Sequence, residues 1–137
     1  MTTDSELKSK LHAIIMDILA VDEDELRPSA TFMGDLGGES IDLLELSFRC
    51  EKEFGTKIEF QKMFPVEELG VNERNELMPE TLERIKHRLP FLDVSRIGEN
   101  PHIERLFDLL TVDAIFCFLR RTLDARARSI GAIQPAG

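Results

Sequence analysis

The chain has 137 residues, of which 42% are hydrophobic; that suits one domain with a buried core and excludes a disordered or fibrous composition. Twenty-six acidic residues against 17 basic ones give a formal charge of −9, the wrong balance for displacing counterions from a nucleic-acid backbone. Trp and Tyr are absent and Phe supplies all nine aromatics, which argues against the stacking platforms of single-strand binders.

The first element spans about Thr3 to Val21. Thr3 and Glu6 have capping-box spacing, and Leu7, Leu11, Ile14, Ile15 and Ile18 recur along one helical stripe. A long loop follows from Asp22 to about Glu39, holding Pro28, Gly34, Gly37 and Gly38. A second helix is expected from Ser40, as N-cap, to Phe54, with Gly55 as a left-handed stop. Its apolar stripe is read as Ile41, Leu44 and Phe48, widened by Leu46 and Phe54, with Asp42, Glu45, Glu51 and Glu53 on the remainder. Pro79 opens a third helix through Leu82, Ile85 and Leu89 that Pro90 ends. Asn100 and Pro101 pair as N-cap and first turn of a helix through Ile103, Leu106 and Phe107. The last helix starts at Thr111, with Val112, Ile115, Phe116, Leu119 and Leu123 on its apolar side. The expectation is one all-α domain over residues 1–128, with a frayed tail over 129–137.

No stretch approaches the ~18 apolar residues of a membrane span. The N-terminus lacks a signal peptide's basic head and apolar run, so the expected location is cytoplasmic. Cys50 and Cys117 are too few for a disulfide scaffold and read as small buried hydrophobes.

Three catalytic or metal readings fail on spacing. The run Asp22 to Glu25 could start a calcium loop, but the positions needing Gly and Glu hold Arg27 and Met33. His12, His87 and His102 are isolated, with no zinc spacing. Gly38-Glu39-Ser40-Ile41-Asp42 lacks the last glycine of a G-x-S-x-G elbow and the strand that must precede it. No metal and no catalytic residue is therefore expected, and the chain is read as not an enzyme.

What remains is a hydroxyl at a helix start, in Asp35-Leu36-Gly37-Gly38-Glu39-Ser40-Ile41-Asp42-Leu43-Leu44-Glu45-Leu46. A phosphate ester there would meet the positive helix end and its unpaired amides. This segment resembles the attachment motif of acyl carrier proteins. Glu51-Lys52-Glu53-Phe54-Gly55 with Ile58, the segment Leu110 to Ile115 and the first helix continue the likeness, over residues 1–61 and 109–124.

The resemblance implies an acyl-carrier-like four-helix bundle in which Ser40 carries covalent 4′-phosphopantetheine, with acyl groups held as thioesters on its thiol. It implies that Asp35, Glu39, Ile41, Asp42 and Glu45 take part in partner recognition, and that Leu44 and Leu46 belong to the core. The implied partners are a phosphopantetheinyl transferase and acyl-loading and acyl-using enzymes with basic docking patches, in fatty-acid, lipid or polyketide synthesis. A monomer is expected, without nucleic acid. Peptidyl or aminoacyl cargo shares the same chemistry, and a helical interaction module with Ser40 as a plain cap is the reading from another class. Two features depart from the family pattern: Glu39 replaces the usual Asp, and Lys62 to Asp108 replaces a short third helix and loops. That insertion contains Met63, Phe64, Phe91, Leu92, Leu106 and Phe107, and is expected to add one or two helices against the second and last helices, bordering an acyl cavity or presenting a private surface.

Overall fold

The computed structural model describes residues 3–64 and 70–133. It is helical: α1 spans Asp4–Leu19, α2 Ser40–Phe54, α3 Pro79–Arg88 and α4 Val112–Ile133. Short 3-10 helices lie at Glu23–Glu25, Phe60–Lys62, Val94–Ile97 and Ile103–Leu109. Among the described residues extended pairing is confined to isolated bridges, Thr31 with Thr111, Val71 with Leu77 and Glu76 with His102.

Helix α1 starts as its sequence demands, with the Thr3 hydroxyl accepting the Glu6 N–H at 3.1 Å. It ends two residues before the expected Val21, because Ala20 takes a left-handed conformation with φ 55°. Leu7, Leu11, Ile14 and Ile15 are buried and pack on the inner side of α2, where Leu43, Leu46 and Cys50 are buried. Burial pushes the Cys50 thiol up to about 12, so it stays protonated and unreactive. Outside this seam, Arg49 of α2 pairs with Asp17 of α1, and Lys10 with Glu53 at 3.5 Å. The acidic run after α1 is a short capped turn, with the Asp22 N–H donating to Glu25 Oε2 at 2.7 Å.

The insertion shares the same core. Met63, Phe64, Leu77, Leu82, Ile85, Leu89, Leu92, Ile97 and Leu106 are buried in one cluster with α1, α2 and α4. It adds one α-helix, α3, where Pro79 and the periodicity required it. The second expected helix is different. Residues Ile103–Leu109 form a 3-10 helix capped by His102, whose Nδ1 accepts the Glu104 N–H at 3.2 Å. Pro101 is instead buried, with its carbonyl accepting the Leu77 N–H at 2.7 Å, so the Asn100–Pro101 pair ends a loop rather than opening a helix. The insertion meets α4 through Arg88, whose carbonyl accepts from Arg121 Nη1 at 3.1 Å, and just before the insertion the Phe60 ring lies 5.8 Å from that of Phe118. Helix α4 runs on to Ile133, past the expected start of the tail at 129; residues 134–137 lie outside the described residues.

One buried polar group joins α2 to the segment that leads into the insertion. The Ser47 hydroxyl, 4% exposed, accepts the Phe60 N–H at 3.1 Å and lies 2.9 Å from Gln61 Oε1. Replacing it strands a buried backbone donor, which costs about 1–3 kcal/mol. Ser47→Ala should therefore lower the unfolding free energy by that amount, read as a lower denaturant midpoint at unchanged slope. A loss below about 0.5 kcal/mol, the ordinary range for a surface change, would contradict this role.

Candidate attachment site

The loop before α2 is fixed to the start of α4 by backbone pairing. Phe32 N–H donates to the Leu110 carbonyl at 2.8 Å, Val112 N–H to Ala30 at 2.9 Å and Asp113 N–H to Pro28 at 3.0 Å. Phe32 is fully buried, and its carbonyl accepts the Gly38 N–H at 2.8 Å. A Cβ on residue 38 would come within 2.5 Å of the Phe32 ring and 2.8 Å of its carbonyl oxygen, so glycine permits this close approach. Gly37 turns the chain beside it with φ 73°. Thr31 and Asp35 close the loop reciprocally: the Thr31 N–H donates to Asp35 Oδ2 and the Asp35 N–H to Thr31 Oγ1, both at 2.9 Å. Asp35, expected to recognise partners, thus has its carboxylate engaged in holding the loop.

Ser40 is the first residue of α2 rather than its cap. Glu39 is the N-cap, in a capping box with Asp42, whose carboxylate accepts the Glu39 N–H at 2.8 Å. The Ser40 side chain is exposed, and its hydroxyl is spared from capping the helix. The Ser40 and Ile41 N–H groups belong to the first turn, which has no intrahelical acceptors. The site therefore fits a phosphodiester: a free hydroxyl, a positive helix end and unpaired donors within one turn.

The outward face of α2 corrects a second expectation. Ile41 is 70% exposed, Phe48 59% and Leu44 38%, so this stripe faces outward and Leu44, expected in the core, is not a core residue. Leu46 is buried as expected, on the opposite side with Leu43 and Cys50. Helix α2 carries two apolar stripes, and the periodicity of either one alone looks like a core face. Glu45 is exposed between Ile41 and Phe48, so the patch beside Ser40 combines apolar bulk with negative charge. The clefts lined by α3, residues 90–96 and α4 contain no α2 side chain.

Residues 9–70 match the family model described as "Phosphopantetheine attachment site". The chain is 45% identical over 53 residues to an acyl carrier protein of Nitratidesulfovibrio vulgaris (strain DP4), covering 39% of this chain and 70% of that protein. It is 43% identical over 61 residues to an acyl carrier protein of Petrotoga mobilis, covering 44% of this chain and 72% of that one.

The capping assignment separates three neighbouring side chains. Glu39→Ala and Asp42→Ala should each destabilise the fold by about 0.5–2 kcal/mol, the range for a lost cap. Ser40→Ala should stay within about 0.5 kcal/mol. Equal losses in chemical denaturation for Ser40→Ala and Glu39→Ala would contradict the assignment.

Proposed function

Because the chain belongs to the acyl carrier protein family, whose attachment domain carries covalent 4′-phosphopantetheine, we propose that Ser40 is the attachment residue and that the cargo is an acyl group. The observation that carries this reading is the spared hydroxyl of Ser40 at the start of α2, within the attachment motif. When attached, the arm supplies a terminal thiol that holds acyl groups as thioesters. The chain's own part is to present and orient. Glu39 and Asp42 hold the helix start and the Phe32–Leu110 pairing fixes the loop, and the first-turn amides of Ser40 and Ile41 would favour the negative charge of a bound ester. Members of the family are carriers rather than catalysts, and we assign no catalytic residue here.

Partner recognition is placed on α2. Residues 1–61 hold 14 acidic and 6 basic residues, a net charge of −8, whereas 110–137 hold 2 and 4, a net of +2. The negative field concentrated around Ser40 steers enzymes with basic docking patches, among them a phosphopantetheinyl transferase and acyl-loading and acyl-using enzymes. Ile41, Leu44 and Phe48 then offer the apolar contact that gives a docked complex its lifetime. Glu45 supplies the charge nearest this patch. Asp42 and Asp35 act mainly through the backbone contacts described above, and Glu39 through its cap. The setting that suits this equipment is acyl-chain synthesis in the cytosol, in fatty-acid, lipid or polyketide assembly.

Intact mass after co-expression with a phosphopantetheinyl transferase tests the reading. The wild-type chain should gain the mass of one phosphopantetheine and Ser40→Ala none, while Glu45→Lys should slow the gain at low salt and approach the wild-type rate at high salt. A modified species persisting in Ser40→Ala would sink the assignment.

A further inference from the structure

Between α4 and the end of α3 lies a basic groove. Along α4, Phe118, Arg121, Thr122, Ala125 and Arg128 recur at steps of three and four. They line a cleft of about 490 Å³ whose other wall is Arg88 and Leu89 at the end of α3. Leu89 and Phe118 form its apolar floor, and the small side chains of Thr122 and Ala125 keep it open. Arg121 is held in place by its hydrogen bond to the Arg88 carbonyl and by the Phe91 ring, 5.5 Å below its guanidinium. The carboxylate in the cleft, Asp124, faces Arg120 at 3.5 Å, and Arg120 also meets Asp4 at 3.2 Å.

A groove with an apolar floor and arginine rims is complementary to an acidic helix with exposed apolar side chains. The molecule carries such a helix. On α2, Ile41, Leu44 and Phe48 are exposed, with Glu45 among them and Asp42 at the edge. This apolar patch is about 10 Å long at the helical rise of 1.5 Å per residue.

We propose that α2 of a second copy of this chain seats in the α3–α4 groove, acid against arginine and apolar against apolar. The contact is heterologous, since each copy contributes a different surface, so a pair leaves one α2 and one groove open and further copies can add. The patch is small, so the association is weak and reversible. Its consequence is that a copy seated in this way withholds its docking face from enzymes, which makes crowding of the carrier a brake on its own use. The proposal rests on the exposed face of α2 and holds whether or not Ser40 is the attachment residue.

Sedimentation velocity on the full-length, unmodified chain tests it, from about 10 μM to about 1 mM at low salt and again near 0.5 M salt, where surface charges are screened. The expected result is a weight-average sedimentation coefficient that rises with concentration at low salt and much less at high salt. Glu45→Lys and Arg128→Glu, both at exposed positions, should each weaken association about tenfold or more. An equimolar mixture of the two variants should recover association, because the intact α2 face of one meets the intact groove of the other and the two reversed charges attract each other. A monomer across the whole range, or association unchanged by both reversals, would overturn the proposal.

Discussion

The site depends on backbone pairing between the loop that leads to Ser40 and a stretch far along the chain. Residues 28–32 run against 110–113, with Phe32 buried at the junction. Each bond alone contributes only about 0.5–1.5 kcal/mol. Together they turn a glycine-containing loop, with an entropic cost of about 1–2 kcal/mol per fixed residue, into a defined lead to α2. The close approach of Gly38 to Phe32 and the Thr31–Asp35 exchange carry that order to Glu39. Helix α2 therefore begins at one place, and its first residue presents a hydroxyl with no structural duty.

That division of labour explains why acids crowd a site meant for a phosphodiester. A carboxylate close to a phosphate is repulsive, yet Glu39 and Asp42 are engaged with backbone amides at the positive end of the helix, where negative charge is favourable. Glu45, exposed and outside the capping box, lies one turn further on. Charge for steering is thus displaced from the reacting hydroxyl along the helix, next to the apolar side chains that contact a partner. The insertion leaves this arrangement intact. It fills its own part of the core through Leu77, Leu82, Ile85 and Leu106 and brings Arg88 beside Arg121 and Arg128 of α4.

Much of the fold was legible in the sequence. The Thr3 cap, Gly55, Pro79 and the stripe from Leu7 to Ile15 are local signals, and local physics decided those boundaries. The motif around Ser40 was legible as well. The outward stripe of α2 was not, because Ile41, Leu44 and Phe48 obey the same period as Leu43, Leu46 and Cys50, and only the position of α1 decides which side is buried. The cap was misplaced by one residue because Ser is the commoner N-cap, whereas here Glu39 with Asp42 satisfies the same amides from the preceding position. The segment 103–109 has helical periodicity but is drawn into a 3-10 helix while its neighbours bond elsewhere: Ile103 N–H donates to Asn75 at 2.8 Å. Ser47 and Thr31 gave no signal, since their partners, Phe60 and Asp35, are ordinary residues until the chain is folded.

The central claim, that the carrier arm is held at Ser40, is tested most directly by fragmenting the modified protein and locating the added mass. The account predicts the phosphopantetheine on the peptide containing Ser40 and on that residue alone. The added mass on any other serine, including the buried Ser47 seven residues along the same helix, would contradict it.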